Sequence, residues 1–218
     1  FCVADGMGGG AEGAKASDVV CRELKMTMHV AEEDFYSRVS AAQNALVDAN
    51  FEIFSYARER GFDQMGSTAA ILVLDPSDRT RAAVVHVGDS RVYRVRRGSA
   101  ELLTKDHTIG GQLSALATGA QAVGLKSRTN PLAHVLTRAI GVEAKVTGEW
   151  RTVDLAADDR YLICSDGVHD VVADSLIGEI LTVERTLASA SGHLAAEIVR
   201  NGAPDNYTYA IIETGGEK

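Results

Sequence analysis

Short apolar runs that stop at an aspartate beside a glycine constrain this chain more than any other feature. Phe1 to Ala4 runs into Asp5-Gly6, Arg81 to Val87 into Gly88-Asp89, and Tyr161 to Cys164 into Ser165-Asp166-Gly167. Asp205 repeats the arrangement in mirror image, at the entry to the run Tyr207 to Ile212. Runs of this length and composition read as buried strands. Asp-Gly and Gly-Asp are also common turn pairs, so any one of these acids alone reads as an ordinary turn residue. Four in the same relation to a strand point to a fold that gathers carboxylates along one edge. Clustered carboxylates repel, and stay ionised at neutral pH only with cations among them. The first turn, Asp5-Gly6-Met7-Gly8-Gly9-Gly10, is rich enough in glycine to let a hard cation or a phosphate approach the main chain.

The rest of the order reads as one α+β domain. Ala16, Val20, Leu24 and Met28 fall four apart, which predicts a helix over Glu12 to Val30. A second helix, Asp34 to Arg60, sets Val39, Leu46, Ile53 and Ala57 along a stripe, with Gly61 as its stop. Gly66-Ser67-Thr68 leads into a strand over Ala69 to Leu74, and Asp75-Pro76-Ser77-Asp78 is turn chemistry. Val92 to Val95 and Leu102-Leu103, around Arg97-Gly98-Ser99, read as a hairpin. Lys105 to Pro131 is rich in Gly, Ser, Thr and Ala and reads as short helical pieces within a surface flap. Packed structure resumes at Leu136 to Ile140, followed by strands over Thr147 to Leu155 and Tyr161 to Cys164. Helices over Asp174 to Leu181 and Leu187 to Arg200 precede the last strand.

With 218 residues, 45% of them hydrophobic, the chain supports one core. A formal net charge of −8 argues against a nucleic-acid partner, and means that a phosphorylated substrate would need locally bound cations. Cys2, Cys21 and Cys164 show no metal spacing; Cys2 and Cys164 read as buried free thiols of a cytoplasmic protein. No apolar run is long enough to cross a bilayer and no signal peptide is visible. The chain opens inside a strand, so an upstream segment is expected. An all-oxygen donor set favours magnesium or manganese over zinc. Two such ions about 3.5–4 Å apart can hold a bridging hydroxide for attack on phosphorus.

Asp5-Gly6-Met7-Gly8-Gly9, Gly66-Ser67-Thr68, Gly88-Asp89-Ser90-Arg91, Leu103-Thr104-Lys105-Asp106-His107, Leu136-Thr137-Arg138-Ala139-Ile140-Gly141, Ser165-Asp166-Gly167 and Asp205-Asn206 occur in one order. That series resembles the metal-dependent serine/threonine protein phosphatases of type 2C, in particular their compact bacterial members. The resemblance implies a four-layer α-β-β-α sandwich, two antiparallel sheets flanked by helices, with residues 1–218 as a single catalytic domain and a flap at about 105–131. It implies that Asp5 bridges two metals, that the Gly6 carbonyl binds one of them directly or through water, and that Asp166 and Asp205 serve the other. Asp89, with Asp166, matches the position of a third, weaker metal. The implied reaction is in-line hydrolysis of phosphoserine and phosphothreonine in proteins by a metal-bridging hydroxide, without a phosphoenzyme. Asp5, Asp166 and Asp205 are then the catalytic set, the ions are Mn²⁺ or Mg²⁺, and the partners are protein substrates of a serine/threonine kinase. A monomer is the expected state.

The sequence departs from that pattern in two places. The upstream strand bearing an Arg and an Asn-Glu-Asp group, which supplies a phosphate clamp and an acidic ligand, is not among these residues. Many eukaryotic members carry histidine, a candidate general acid, where this chain has Met7. His169 is the candidate substitute, whereas His29, His86, His107, His134 and His193 read as structural or solvated. Arg138 could approach the phosphate but reads first as a salt-bridged residue, and Ser67 and Thr68 as turn hydrogen-bonders. The competing function is a catalytically silent phosphatase-like binding module lacking the upstream acid and arginine.

Overall fold

A computed structural model describes residues 1–31, 34–62, 64–119 and 130–215. After β1 (Cys2–Val3) and β2 (Gly6–Met7), two long helices follow, α1 (Gly10–Val30) and α2 (Phe35–Arg60). Then come β3 (Gly66–Ser67), β4 (Ala69–Leu74), β5 (Arg81–Val87), β6 (Arg91–Arg96), β7 (Ser99–Leu102) and α3 (Ile109–Leu116). A 3-10 turn at Pro131–Ala133 leads to β8 (Glu149–Asp154), β9 (Arg160–Cys164), α4 (Asp166–His169), α5 (Asp174–Val183), α6 (Leu187–Arg200) and β10 (Tyr209–Glu213). Two four-stranded antiparallel sheets result, one in the order β1-β4-β5-β8 and the other β10-β9-β6-β7, with β2 and β3 paired as a separate two-stranded sheet.

Side-chain alternation along the strands builds the layers. On β4, Ala69, Ile71 and Val73 face outward to Val20, Leu24, Leu46 and Ile53 of α1 and α2. Ala70 and Leu72 face inward, against Val92, Tyr161 and Ile163 of the second sheet. On that sheet's outer face Tyr93, Val95 and Leu162 pack on Ile177, Ile180, Leu194 and Ile198 of α5 and α6. A strand buried on both faces is apolar at nearly every position, which is why β4, β5 and β9 read as continuous runs. The result is the expected four-layer sandwich. Only β8, at a sheet edge, has most of its residues exposed.

Local chemistry sets the boundaries. Asp34 caps α2 by accepting from Ser37 N–H at 2.9 Å, and Gly61 ends it in the left-handed region at φ 72°. The β6–β7 turn puts both Arg97 (φ 51°) and Gly98 (φ 83°) at positive φ, as the right-handed twist of a tight hairpin demands. The hairpin strands start earlier and are longer than the apolar residues alone indicate, because the backbone ladder continues through Arg91, Arg94 and Arg96. Within the expected flap, Thr108 caps the eight-residue α3 by accepting from Gly111 N–H; residues 120–129 of that segment lie outside the described ones. Cys164 is buried as expected, but Cys2 is only half-buried, and Cys21 is exposed. Among the described residues, no helix is long and apolar enough to cross a membrane.

Candidate metal centre

The strands of both sheets end on one rim, and hydrogen bonds tie these ends together. Thr68 N–H donates to the Asp5 carbonyl at 2.8 Å and Asp5 N–H returns a bond to Thr68 Oγ1 at 3.2 Å. Ser67 Oγ donates to the same carbonyl at 3.0 Å, and Thr68 Oγ1 reaches Ser90 Oγ beyond Asp89 at 2.6 Å. Ser67 and Thr68 are therefore turn hydrogen-bonders. On the other sheet, Ser165 N–H donates to Thr208 O at 3.0 Å and Thr208 N–H to Ser165 Oγ at 3.1 Å, which sets Asp166 beside the entry to β10.

Glycine at two of these turns admits a close backbone neighbour. A Cβ on Gly6 would lie 1.8 Å from the Gly13 carbonyl oxygen, so the first turn of α1 rests directly on the Asp5 turn. A Cβ on Gly167 would lie 2.2 Å from the Asn206 carbonyl oxygen. Both glycines allow two stretches of protein backbone to touch, and at Gly167 the contact sets the Asp166 turn beside the Asp205-Asn206 segment.

Asp5, Gly6, Asp89, Asp166 and Asp205 all line one cleft of about 310 Å³, along with Met7, Thr68, His134, Leu136 and Asn206. The electrostatics are those of an unneutralised site. Burial pushes the Asp5 carboxyl up to about 7, and Asp166, Asp205 and Asp89 push it the same way. Asp89 rises to about 6 through burial and then through Asp166. Asp166 Oδ1 is buried without a hydrogen-bond partner among the described residues. Buried polar atoms are seldom left so in folded proteins. An orphaned carboxylate oxygen within an all-oxygen donor set fits a hard divalent cation.

The histidines sort differently from their sequence reading. His169 is buried, donating from Nε2 to the Asp89 carbonyl at 3.0 Å with Nδ1 3.2 Å from Asp170 Oδ1. Its ring is turned toward the Asp89 carbonyl and Asp170, so it fixes the Asp89 turn and is not placed to protonate a leaving group. His134 lines the cleft instead, its Nδ1 3.1 Å from Asp170 Oδ2. Nothing in the local sequence singles out His134; its position depends on the 3-10 turn meeting the end of α4.

A second cluster, His86, His107 and Glu149, brings three potential ligand atoms within 4.8 Å of one another. The two imidazoles stack with centroids 4.7 Å apart and 23° between planes, whereas ligand lone pairs lie in the ring planes. His107 Nδ1 accepts from Gly88 N–H at 3.1 Å, which leaves the ring proton on Nε2, facing Glu149 at 3.4 Å. Burial, with His86 and Arg138 adding to it, pushes His107 down to about 4. Arg138 lies with this group, 3.5 Å from Glu149 and 3.3 Å from His107, and lines a neighbouring pocket with Met7 and Lys145. The cluster is a hydrogen-bonded support beneath the Asp89 turn rather than a ligand set.

The same architecture occurs in proteins of known activity. The chain matches the family model described as Protein phosphatase 2C over residues 1–201. It is 31% identical over 217 residues to the serine/threonine phosphatase stp of Listeria innocua, covering 97% of this chain and 82% of that protein. It is 32% identical over 222 residues to the serine/threonine protein phosphatase PstP of Mycobacterium tuberculosis, covering 98% of this chain and 40% of that protein. The solved catalytic domain of PstP in complex with two manganese ions superposes with a TM-score of 0.79 at 30% identity, covering 99% of this chain and 87% of that one. The chain belongs to the protein phosphatase 2C family.

Proposed function

We propose that this chain hydrolyses phosphoserine and phosphothreonine monoesters in proteins, with Asp5, the Gly6 carbonyl, Asp166 and Asp205 holding two divalent cations and Asp89 with Asp166 a third. One observation carries the reading. Four carboxylates share a cleft in which the charges acting on Asp5 are those of other carboxylates, and one buried oxygen, Asp166 Oδ1, is unsatisfied. When bound, the cations supply a water of lowered pKa as nucleophile and neutralise charge on the transferring phosphoryl group.

The chain's own residues hold and shape the site. Thr68 and Ser67 fix Asp5, Thr208 fixes the Ser165-Asp166 turn, and His169 fixes Asp89, so the acids cannot splay apart to relieve their repulsion. Met7, Leu136 and His134 line the cleft beside the acids. Manganese or magnesium suits the donors equally, and the manganese of the PstP structure favours manganese as the first ion to test. The domain works as a monomer in the cytoplasm on substrates of a serine/threonine kinase. A catalytically silent binding module has nothing in the cleft to favour it, since the acids named from the sequence all line it.

The test pairs binding with turnover. Calorimetric manganese titration gives saturable binding, and a phosphothreonine peptide is hydrolysed with Mn²⁺; chelator or Asp166→Asn removes both. Binding without turnover of any phosphomonoester would establish the silent module, and the absence of saturable binding would overturn the site itself.

A further inference from the structure

Expulsion of a serine or threonine oxygen from phosphorus needs a proton, because an alkoxide is a poor leaving group. Met7, on the cleft wall, has none to give. His169, the candidate from sequence, is buried, with Nε2 on the Asp89 carbonyl. The imidazole that lines the cleft is His134, on the residue that follows the 3-10 turn Pro131–Ala133.

Its orientation is fixed from behind. Asp170, the residue that ends α4, places Oδ2 3.1 Å from His134 Nδ1 and Oδ1 3.2 Å from His169 Nδ1. Burial would raise Asp170, but the hydrogen bond from His169, the charges of His169 and His134, and Arg91 outweigh it and hold the carboxyl below its usual range. An ionised carboxylate only accepts, so Nδ1 of His134 carries a hydrogen toward Asp170. A carboxylate behind an imidazole sets its tautomer and stabilises its protonated form. Of the two histidines on Asp170, His169 braces the Asp89 turn and His134 lines the cleft.

We propose that His134, oriented by Asp170, is the general acid that protonates the departing seryl or threonyl oxygen. This rests on the phosphatase reading above. In the step, the bond from phosphorus to the substrate oxygen breaks and its electron pair stays on that oxygen, which takes the proton from His134 Nε2 to become the free hydroxyl. The attacking water forms the new bond to phosphorus and releases a proton, and His134 is reprotonated from solvent. His134 is a catalytic residue in this scheme and Asp170 a positioning residue.

Leaving-group chemistry tests it. The wild-type protein and the variants His134→Gln and Asp170→Asn are assayed with Mn²⁺ on a phosphoserine peptide and on 4-nitrophenyl phosphate, whose phenolate leaves with little help. General acids contribute on the order of 10²–10⁴-fold. His134→Gln should therefore lose about 100-fold in kcat on the peptide, and its peptide-to-aryl rate ratio should fall by about 10-fold or more. Asp170→Asn should shift that ratio in the same direction by a smaller factor. Across aryl phosphates of rising phenol pKa, the His134→Gln rate should fall more steeply than wild type. Equal losses on both substrates, or an unchanged ratio in His134→Gln with manganese affinity and Tm retained, would overturn the assignment. Failure of the wild-type protein to turn over either substrate would instead overturn the phosphatase reading.

Discussion

The two rims of the sandwich hold carboxylates in opposite circumstances. At the far rim, where β6 ends and β9 and β10 have their other ends, Asp154, Asp159 and Glu213 each have an arginine. Arg96 grips Asp159 with two bonds of 2.7 and 2.6 Å and reaches Asp154 at 2.6 Å; Arg94 binds Asp154 at 2.9 Å; Arg160 holds Glu213 at 2.7 Å. Hydrogen bonds from Arg96 and then Arg94 hold Asp154 down at about 2. At the cleft rim Asp5 and Asp89 are instead pushed up, to about 7 and about 6, by burial and by one another's company. The same strands carry both rims, so sheet structure does not explain the contrast. One rim is neutralised from within the chain; the other gathers the acids proposed to hold cations.

Substitution at each rim should separate these roles most sharply. Asp166→Asn should lower kcat by at least about 10³-fold, on the scale of removing a metal's electrostatic stabilisation. Asp154→Asn, at an exposed ion pair, should leave kcat within about 3-fold and stability within about 1 kcal/mol. Steady-state kinetics on a phosphothreonine peptide reads both, and equal losses would erase the distinction.

Manganese should act on one rim only. At 100 times its Kd it should stabilise the native state by about 2.7 kcal/mol, raising Tm by roughly 5–10 °C for a domain of this size. Asp166→Asn should lose most of that rise in thermal unfolding, whereas Asp154→Asn should keep it.

Breaking the far rim should cost less. Arg96→Ala leaves the buried Asp159 without its cation, though Ala156 N–H still donates to it at 2.8 Å. A loss of about 1–3 kcal/mol is expected, seen as a Tm lower by several degrees with kcat per folded molecule unchanged.

The smallest effect is in pH dependence, where the rims have opposite signs. In chelator-treated protein, Asp5 and Asp89 bind protons more tightly folded than unfolded, so stability falls as pH rises from about 4 to about 7. Asp154 is depressed, so its contribution is complete above about 4 and is lost as pH falls toward about 2. Urea unfolding across pH should show the first slope vanish with saturating manganese and the second remain. A metal-insensitive slope between about 4 and 7 would count against the cleft acids as its source.

These rims were not equally legible in the sequence. Asp5, Asp89 and Asp166 announce themselves because strand, glycine and acid are neighbours in the chain, and the same locality marks Gly61 as a stop. Arg96 and Asp159 carry no such mark: they meet only because β6 pairs with β9. His134 was hidden for the same reason, since its partner Asp170 belongs to another element. His169 misled in the opposite way, being next to the right motif but turned by α4 into the interior. The backbone contacts at Gly6 and Gly167 were not legible, since Gly13 and Asn206 lie on other segments of the chain.

That contact at Gly167 separates ownership of a ligand from control of its spacing. Nothing at position 167 can bind a cation, yet any side chain there would wedge the Asn206 backbone away and carry Asp205 with it. Such a change would look in a titration like a missing carboxylate while every carboxylate was still present, the fault lying in the gap between two chain segments.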